Sequence, residues 1–339
     1  MDLGNKQTKL KSGKIEKVLP SYFVEASLYG NRDFFKSVKA KKDTKDFESI
    51  NDQGITYAWG TELDVESISH VTDASGFGLG RYESRNFKLL VDFALAELAY
   101  EENTNDTVYV DVVTGLPSAD YKSTKIKQTV TNVIEGAHLV NVNNKPINIV
   151  VENVFILPQP LGTLYNIVAN DKGEIKDTPL KDANIGVVDI GGGTVLIDAL
   201  RSMNLVDDNR EQFQTGAYSL YRDIITELSK NAILISEYEL ERVIRLNPEK
   251  WSPDGNKQID LTPAIKKQSK LYTRRLVGNI RSTYKGFGRM QKILLTGGAA
   301  NLIDYDELQQ ELPKLVHIVE ESELANVRGF YKYGKTQVR

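Results

Sequence analysis

The stretch Asp189-Ile190-Gly191-Gly192-Gly193-Thr194 constrains this chain more than any other. Apolar runs flank it, Ile185 to Val188 before and Val195 to Ile197 after, and both read as buried strands. The glycines therefore turn one strand into the next and open no helix. That excludes a Rossmann fingerprint and a P-loop, which lead from strand to helix with other glycine spacings. Consecutive glycines in such a turn let several backbone N–H groups point at one spot, a nest for phosphate oxygens. Asp189, at the strand end, is placed to hold magnesium through water, since magnesium keeps much of its hydration shell. An ordinary glycine hairpin would satisfy the same string, so its companions matter.

There are two. Asp2-Leu3-Gly4-Asn5, with Thr8-Lys9 after it, is a second acid–glycine turn entering a strand. Lys9 would bring a cation near phosphates, although a hairpin lysine is commonly just solvated. Thr296-Gly297-Gly298-Ala299-Ala300-Asn301 follows a buried strand and precedes a helix. Small residues there let backbone approach a flat ligand such as adenine; a plain helix-entry turn is the simpler alternative.

Composition narrows the chemistry. With no cysteine, the chain has no disulfide, no thiolate nucleophile and no Cys-ligated metal. Its three histidines, His70, His138 and His317, form no spaced motif. Catalysis must rest on carboxylates, amides, backbone N–H groups and a hard metal. The net charge of −3, from 43 basic and 46 acidic residues, gives no nucleic-acid or membrane-surface footprint. No apolar run approaches the ~18 residues that span a bilayer. The polar start, Met1-Asp2-Leu3-Gly4-Asn5, does not read as a signal peptide, so a cytoplasmic location is expected. At 339 residues, two domains are expected.

The remaining elements alternate between strand and helix. Residues 8–20 read as a hairpin turning at Ser12-Gly13, and residues 30–54, with Lys36, Lys39, Lys41, Lys42 and Lys45, as a solvated face or loop. Residues 64–82, holding Gly76, Gly78 and Gly80, read as a surface loop. A helix is expected from Phe87 to Leu98, a strand from Val108 stopped by Gly115 and Pro117, and a helix over 124–134. One or two strands fit 147–156, and Asn170-Asp171-Lys172-Gly173 is a turn signal. Helices are expected near Gly216, after the capping box Ser236-x-x-Glu239, and from an N-cap at Thr262 with Pro263 first in the helix. A strand over 292–296, a helix near Asp304, a strand over 315–319 and a helix from Ser322 close the chain.

Acid–glycine turn, second acid–glycine turn, then Gly-Gly turn, at positions 2, 189 and 297, resembles the actin, Hsp70 and sugar-kinase superfamily. Within it the chain resembles ParM-type actin-like ATPases of plasmid partition, of the Gram-positive kind. Val18-Leu19-Pro20-Ser21, Thr114-Gly115-Leu116-Pro117-Ser118, Gln159-Pro160-Leu161-Gly162-Thr163-Leu164 and Asn326-Val327-Arg328-Gly329-Phe330 all resemble strings of that family. The resemblance implies an α/β actin-like ATPase with two ribonuclease-H-like domains around a nucleotide cleft. Residues 1–165 with 322–339 would form domain I, and 166–321 domain II.

It also implies roles. Asp2 and Asp189 would hold hydrated magnesium. Gly4, Asn5 and Lys9 would form the first phosphate clamp, and Gly191, Gly192, Gly193 and Thr194 the second. Gly216 would approach the ribose or phosphates, and Gly297, Gly298 and Ala299 would line the adenine side. Gln159 would orient the attacking water; a glutamine cannot serve as an effective base. The nucleotide would be ATP or GTP, the partners further copies of the chain and a ParR-type DNA-binding adaptor, with no direct contact to nucleic acid or membrane. The expected function is filament assembly that segregates plasmid DNA. A small-molecule kinase on the same fold is the alternative, and would need a base such as Asp111 or Asp120. An Hsp70-like chaperone would need a long further domain. A cell-shape protein would need a membrane-binding segment.

One departure bears on the first strand. The family carries several apolar residues before its first aspartate, whereas here only Met1 precedes Asp2. A start upstream, adding about five to eight apolar-rich residues, is therefore expected, because a central strand left short exposes its neighbours' backbone groups.

Overall fold

The computed structural model describes residues 1–28, 43–61, 63, 71–102, 106–253, 255–284 and 287–337. They divide into two units: residues 1–177 with 326–339, and residues 178–325. The boundary expected after residue 165 lies inside the helix Gln159–Val168, whereas the contacts divide the chain after Asp177.

Unit 1 holds two sheets. In the first, β1 (Asp2–Leu3), β2 (Gln7–Lys11) and β3 (Glu16–Pro20) run antiparallel in that order. The second comprises β4 (Tyr22–Glu25), β5 (Lys45–Ser49), β6 (Tyr57–Trp59), β7 (Thr72–Asp73), β8 (Val108–Leu116), β9 (Gly136–Val142) and β10 (Lys145–Pro158). Their spatial order is β7-β4-β6-β5-β9-β10-β8. The strand expected over 147–156 is thus one long strand, antiparallel to β9 and parallel to β8, with a register shift between Val151 and Asn153. The backbone nitrogen of Met1 donates to the Val113 carbonyl at 2.7 Å, which joins the first sheet to β8.

Helices α1 (Gly78–Glu83), α2 (Arg85–Tyr100), α3 (Ser118–Tyr121) and α4 (Thr124–Ile134) follow these strands. Ser84 caps α2 by accepting from the Phe87 N–H. Helix α2 buries Phe87, Leu90, Val91, Ala94 and Leu95, most of the expected stripe. Its Phe93 meets Phe23 edge-to-face with centroids 5.1 Å apart, and Phe47, Tyr57 and Trp59 close the same aromatic core. Helix α5 (Gln159–Val168) carries Pro160 in its first turn, where its missing N–H is harmless.

Three expectations are corrected here. Residues 45–49 are no solvated face: β5 lies between β6 and β9, with Phe47 and Ser49 turned inward at strand spacing. Lys45 is drawn to the buried Glu97 carboxylate at 2.9 Å. The part of the 64–82 loop that is described holds β7 and α1. Strand β8 passes through Gly115 to Leu116, opposite Leu157 and Pro158 of β10, and the Phe330 ring occupies the space a side chain at 115 would need. Residues 64–70, with His70, and Lys36, Lys39, Lys41 and Lys42 lie outside the described residues.

Unit 2 begins with α6 (Thr178–Asp182) and holds one sheet. Strands β11 (Asn184–Ile190), β12 (Val195–Arg201), β13 (Asn204–Leu205), β14 (Glu211–Phe213), β15 (Lys292–Thr296) and β16 (Val316–Ile318) take the order β13-β12-β11-β15-β16, with β14 on β12. Strands β15 and β16 are parallel to β11, and β12 is antiparallel to it. Helices α7 (Ala217–Ser229), α8 (Glu237–Leu246), α9 (Thr262–Thr283) and α10 (Tyr305–Glu311) cover this sheet through Leu220, Ile224, Leu240, Leu276, Ile280 and Leu308. Thr262 is the first helical residue of α9, not its cap; the Asp260 carboxylate accepts from its N–H instead. The final helix α11 (Ala325–Gln337) returns to unit 1.

Candidate nucleotide-binding turns

In unit 1, β1 and β2 pair Asp2 with Lys9 and Leu3 with Thr8, so the turn 4–6 is tight. A Cβ at Gly4 would sit 2.8 Å from the Gln7 carbonyl oxygen. Asp2 is buried. Its Oδ1 accepts from Gln159 Nε2 at 3.3 Å, and Lys9 Nζ lies 3.8 Å from its Oδ2. Gln159 reaches it from the start of α5, directly after Pro158 ends β10. Asp2, Lys9 and Gln159 therefore share one cluster. Asn5 Oδ1 accepts from the Gly76 N–H at 3.1 Å.

The turn's carbonyls point away from that cluster into protein. Gly4 O accepts from Ser21 Oγ at 2.7 Å and from Arg81 Nη2 at 2.9 Å; Leu3 O accepts from the same Nη2 at 2.8 Å. Ser21 and Arg81 are the residues that sequence reasoning missed. The Val18-Leu19-Pro20-Ser21 string did carry Ser21, as a strand end only. Arg81 stood inside a stretch read as surface loop.

In unit 2 the glycine turn joins β11 to β12 as expected, closed by Gly191 N–H on Thr194 O at 2.9 Å. The N-terminus of α7 takes up its other carbonyls: Gly216 N–H donates to Gly193 O, Ala217 N–H to Gly191 O and Tyr218 N–H to Gly192 O, at 3.2, 2.9 and 2.9 Å. Those helix-start donors have no intrahelical partner of their own. Gly216 is thus pressed against the turn, where a Cβ would lie 2.6 Å from Gly192 O. The N–H groups of Gly192, Gly193 and Thr194 take no acceptor among the described residues. Carbonyls held inward and N–H groups left outward make the turn an anion nest.

Asp189 sits on β11 opposite Leu196 of β12 and Thr296 of β15. Gly297, with φ +91°, lies against the Asp189 carboxylate so closely that a side chain there would overlap it. The Gly297 N–H donates to Ser322 O at 3.2 Å, and Ser322 Oγ returns a bond to Gly297 O at 3.0 Å. Gly298 is half-buried beside it. Ala299 is buried in the core of unit 2, and its N–H donates to Ile190 O at 3.1 Å. The structure therefore brings the second and third motifs side by side around Asp189.

The carboxylates of a kinase reading are engaged elsewhere. Asp120 accepts from the Tyr82 hydroxyl at 2.8 Å, and Asp111 from Asn153 Nδ2 at 2.8 Å. His138 is tied to Asp92 inside unit 1, and neither it nor His317 belongs to these turns. Among the described residues no three acidic or histidine side chains group to hold a metal directly, and no helix is long and apolar enough to cross a membrane.

A parallel and antiparallel sheet bearing an aspartate at a strand end, a glycine nest and a Gly-Gly turn defines a protein of actin-like fold. Residues 1–162 match the family described as actin-like proteins, N-terminal domain, and residues 184–321 match the Alp7A C-terminal domain. The chain belongs to the actin-like proteins. Among solved structures it is similar to apo pSK41 ParM, at 23% identity and TM-score 0.78, covering 99% of this chain and 96% of that one. It is similar to the archaeal actin homolog Ta0583 in complex with ADP, at 16% identity and TM-score 0.72, covering 98% and 97%. It is also similar to a 15-stranded ParM filament from Clostridium botulinum, at 19% identity and TM-score 0.71, covering 99% and 97%. No curated protein sequence matches the chain.

Proposed function

We propose that this chain is an ATPase that assembles into nucleotide-dependent filaments and segregates plasmid DNA through a separate ParR-type DNA-binding adaptor. The observation that carries the reading is the 191–194 turn, with its carbonyls consumed by α7 and its N–H groups left for an anion. The ADP bound by Ta0583 and the filament formed by the Clostridium botulinum ParM support nucleotide and self-assembly in turn. The near-balanced charge agrees with an adaptor that carries the DNA contact. A cytoplasmic site of action fits this task.

The residues take these parts. The Gly191–Thr194 turn, backed by Gly216, and the Gly4–Asn5 turn with Lys9 bind nucleotide phosphates, and Gly297, Gly298 and Ala299 serve the nucleoside. Asp2 and Asp189 hold magnesium through water. Magnesium supplies positive charge at the phosphates. Gln159 donates its amide to Asp2, which leaves its carbonyl oxygen to accept from a water and orient it.

Light scattering with magnesium-ATP tests the reading. Assembly is expected in the wild type and is lost in Asp189→Ala. A wild-type chain that binds ATP and stays monomeric at high concentration would overturn it.

A further inference from the structure

We propose that Arg81 is the positioning residue of the first phosphate turn. This rests on the nucleotide reading given above and adds to it a residue outside the expected motifs. In unit 2 the α7 N-terminus holds the turn carbonyls away from the nest. In unit 1 no helix N-terminus among the described residues does so. The same task falls to side chains: Ser21 Oγ holds Gly4 O, and Arg81 alone holds both Leu3 O and Gly4 O. Arg81 is 7% exposed, and its Nη2 donates to both Leu3 O and Gly4 O, at 2.8 and 2.9 Å. Its Nε donates to Ala74 O at 3.2 Å. The guanidinium lies against the Phe87 ring, 5.2 Å from its centroid, and against Tyr82 at 5.6 Å.

Two physical consequences follow. A carbonyl aimed at a phosphate would repel it, so turning Leu3 O and Gly4 O toward Arg81 clears the ligand side. The N–H groups of Gly4 and Asn5 take no acceptor among the described residues, as the nest of unit 2 also shows. In addition, Arg81 is a buried cation that forms no ion pair among the described residues. Burial draws its affinity for the proton down, yet an arginine stays charged. Its charge is spent on the turn that carries Asp2. The segment around it is fixed to the same turn a second time, through Gly76 N–H on Asn5 Oδ1.

The test compares wild type, Arg81→Lys and Arg81→Met for binding of magnesium-ATP and of adenosine, with thermal unfolding of each nucleotide-free chain. Arg328→Met is the control: Arg328 pairs with Glu16 at 2.6 Å in the same unit, away from the turn. Loss of charge-assisted hydrogen bonds is expected to weaken ATP by at least about tenfold in Arg81→Met, with adenosine unchanged. Arg81→Lys should recover part of the loss. Equal weakening of ATP and adenosine, or none, would overturn the proposal. A wild type that binds no ATP would instead remove the nucleotide reading itself. Should both Arg81 variants fail to fold, hydrogen exchange on the wild type decides. Magnesium-ATP, at protein concentrations below assembly, should slow exchange in the peptide spanning Gly76; unchanged exchange there would overturn the proposal.

Discussion

Gly329 of α11 lies against Gly162 of α5, and a Cβ on Gly329 would overlap the Gly162 carbonyl oxygen. The Phe330 ring then packs over both Gly115 and Gly162, and Thr163 Oγ1 bonds Asn326 Oδ1 at 2.6 Å. Three of the strings that marked the family thus meet at one helix crossing. Two helices approach this closely only where neither carries a side chain.

Gly329→Ala should therefore destabilise unit 1 by about 2–3 kcal/mol, since the obstacle is backbone and cannot swing aside. Gly278→Ala, exposed on α9 with nothing within 4 Å of its new methyl, should stabilise by about 0.5–1 kcal/mol. Urea unfolding of both variants checks the pair. Matching midpoints for Gly329→Ala and wild type would mean that the crossing can open without loss.

Gly216→Ala should disturb nucleotide binding without a ligand-facing side chain having changed. Its methyl would meet Gly192 O and the Gly193 carbonyl carbon at 2.6 Å. The 191–193 turn must shift, and ATP affinity is expected to fall at least about tenfold with the loss of aligned N–H donors. Titration with a fluorescent ATP analogue measures it. Wild-type affinity would show that the turn does not carry the phosphates.

Gln159→Ala should leave ATP binding within about twofold, yet slow phosphate release by about tenfold or more, because positioning of the water is lost. Filaments of this variant should persist longer after ATP addition than those of the wild type. Unchanged phosphate release would assign Gln159 only the task of steadying Asp2.

The buried His138 should make stability depend on pH. Its Nδ1 lies 2.7 Å from Asp92 Oδ1 and its Nε2 2.9 Å from Ile134 O. Both partners accept, so both ring nitrogens carry protons. Burial works against that charge, but the bonds to Asp92 and Ile134 outweigh it and hold the imidazolium above its usual range. Ser49 and Asn51 supply further donors to Asp92. With the folded value raised, the pair's contribution is full below about 6.5 and is lost as pH rises through the folded value. Calorimetry of wild type and His138→Gln should show the stability gap shrinking toward alkaline pH. A gap that holds or widens contradicts the charged form.

Periodicity made the helices legible, and short apolar runs the strands of unit 2. Phe87 to Leu98 and 124–134 sit on real helices, and the strand over 292–296 has the expected ends. Local pattern could not reveal β5, whose one large apolar side chain, Phe47, is hidden among charges that find partners only after folding. Nor could it extend β8 through Gly115, since the ring that covers that glycine comes from residue 330. Among the turn glycines, Gly4 and Gly297 answer to geometry, since a Cβ at either would run into its neighbours. Ser21 and Arg81 stayed silent: a buried arginine serving two carbonyls has no sequence signature, and its partners lie more than seventy positions away.

The return of residues 326–339 to unit 1 makes that unit discontinuous in the sequence. The ring of Phe330 comes after the whole of unit 2 in the sequence, yet it closes over Gly115 and Gly162, which come before that unit. Unit 2, residues 178–325, is one continuous stretch of sequence. Unit 1 closes that face only when a segment from beyond unit 2 comes back to it, a non-local contact that carries a loop-closure cost.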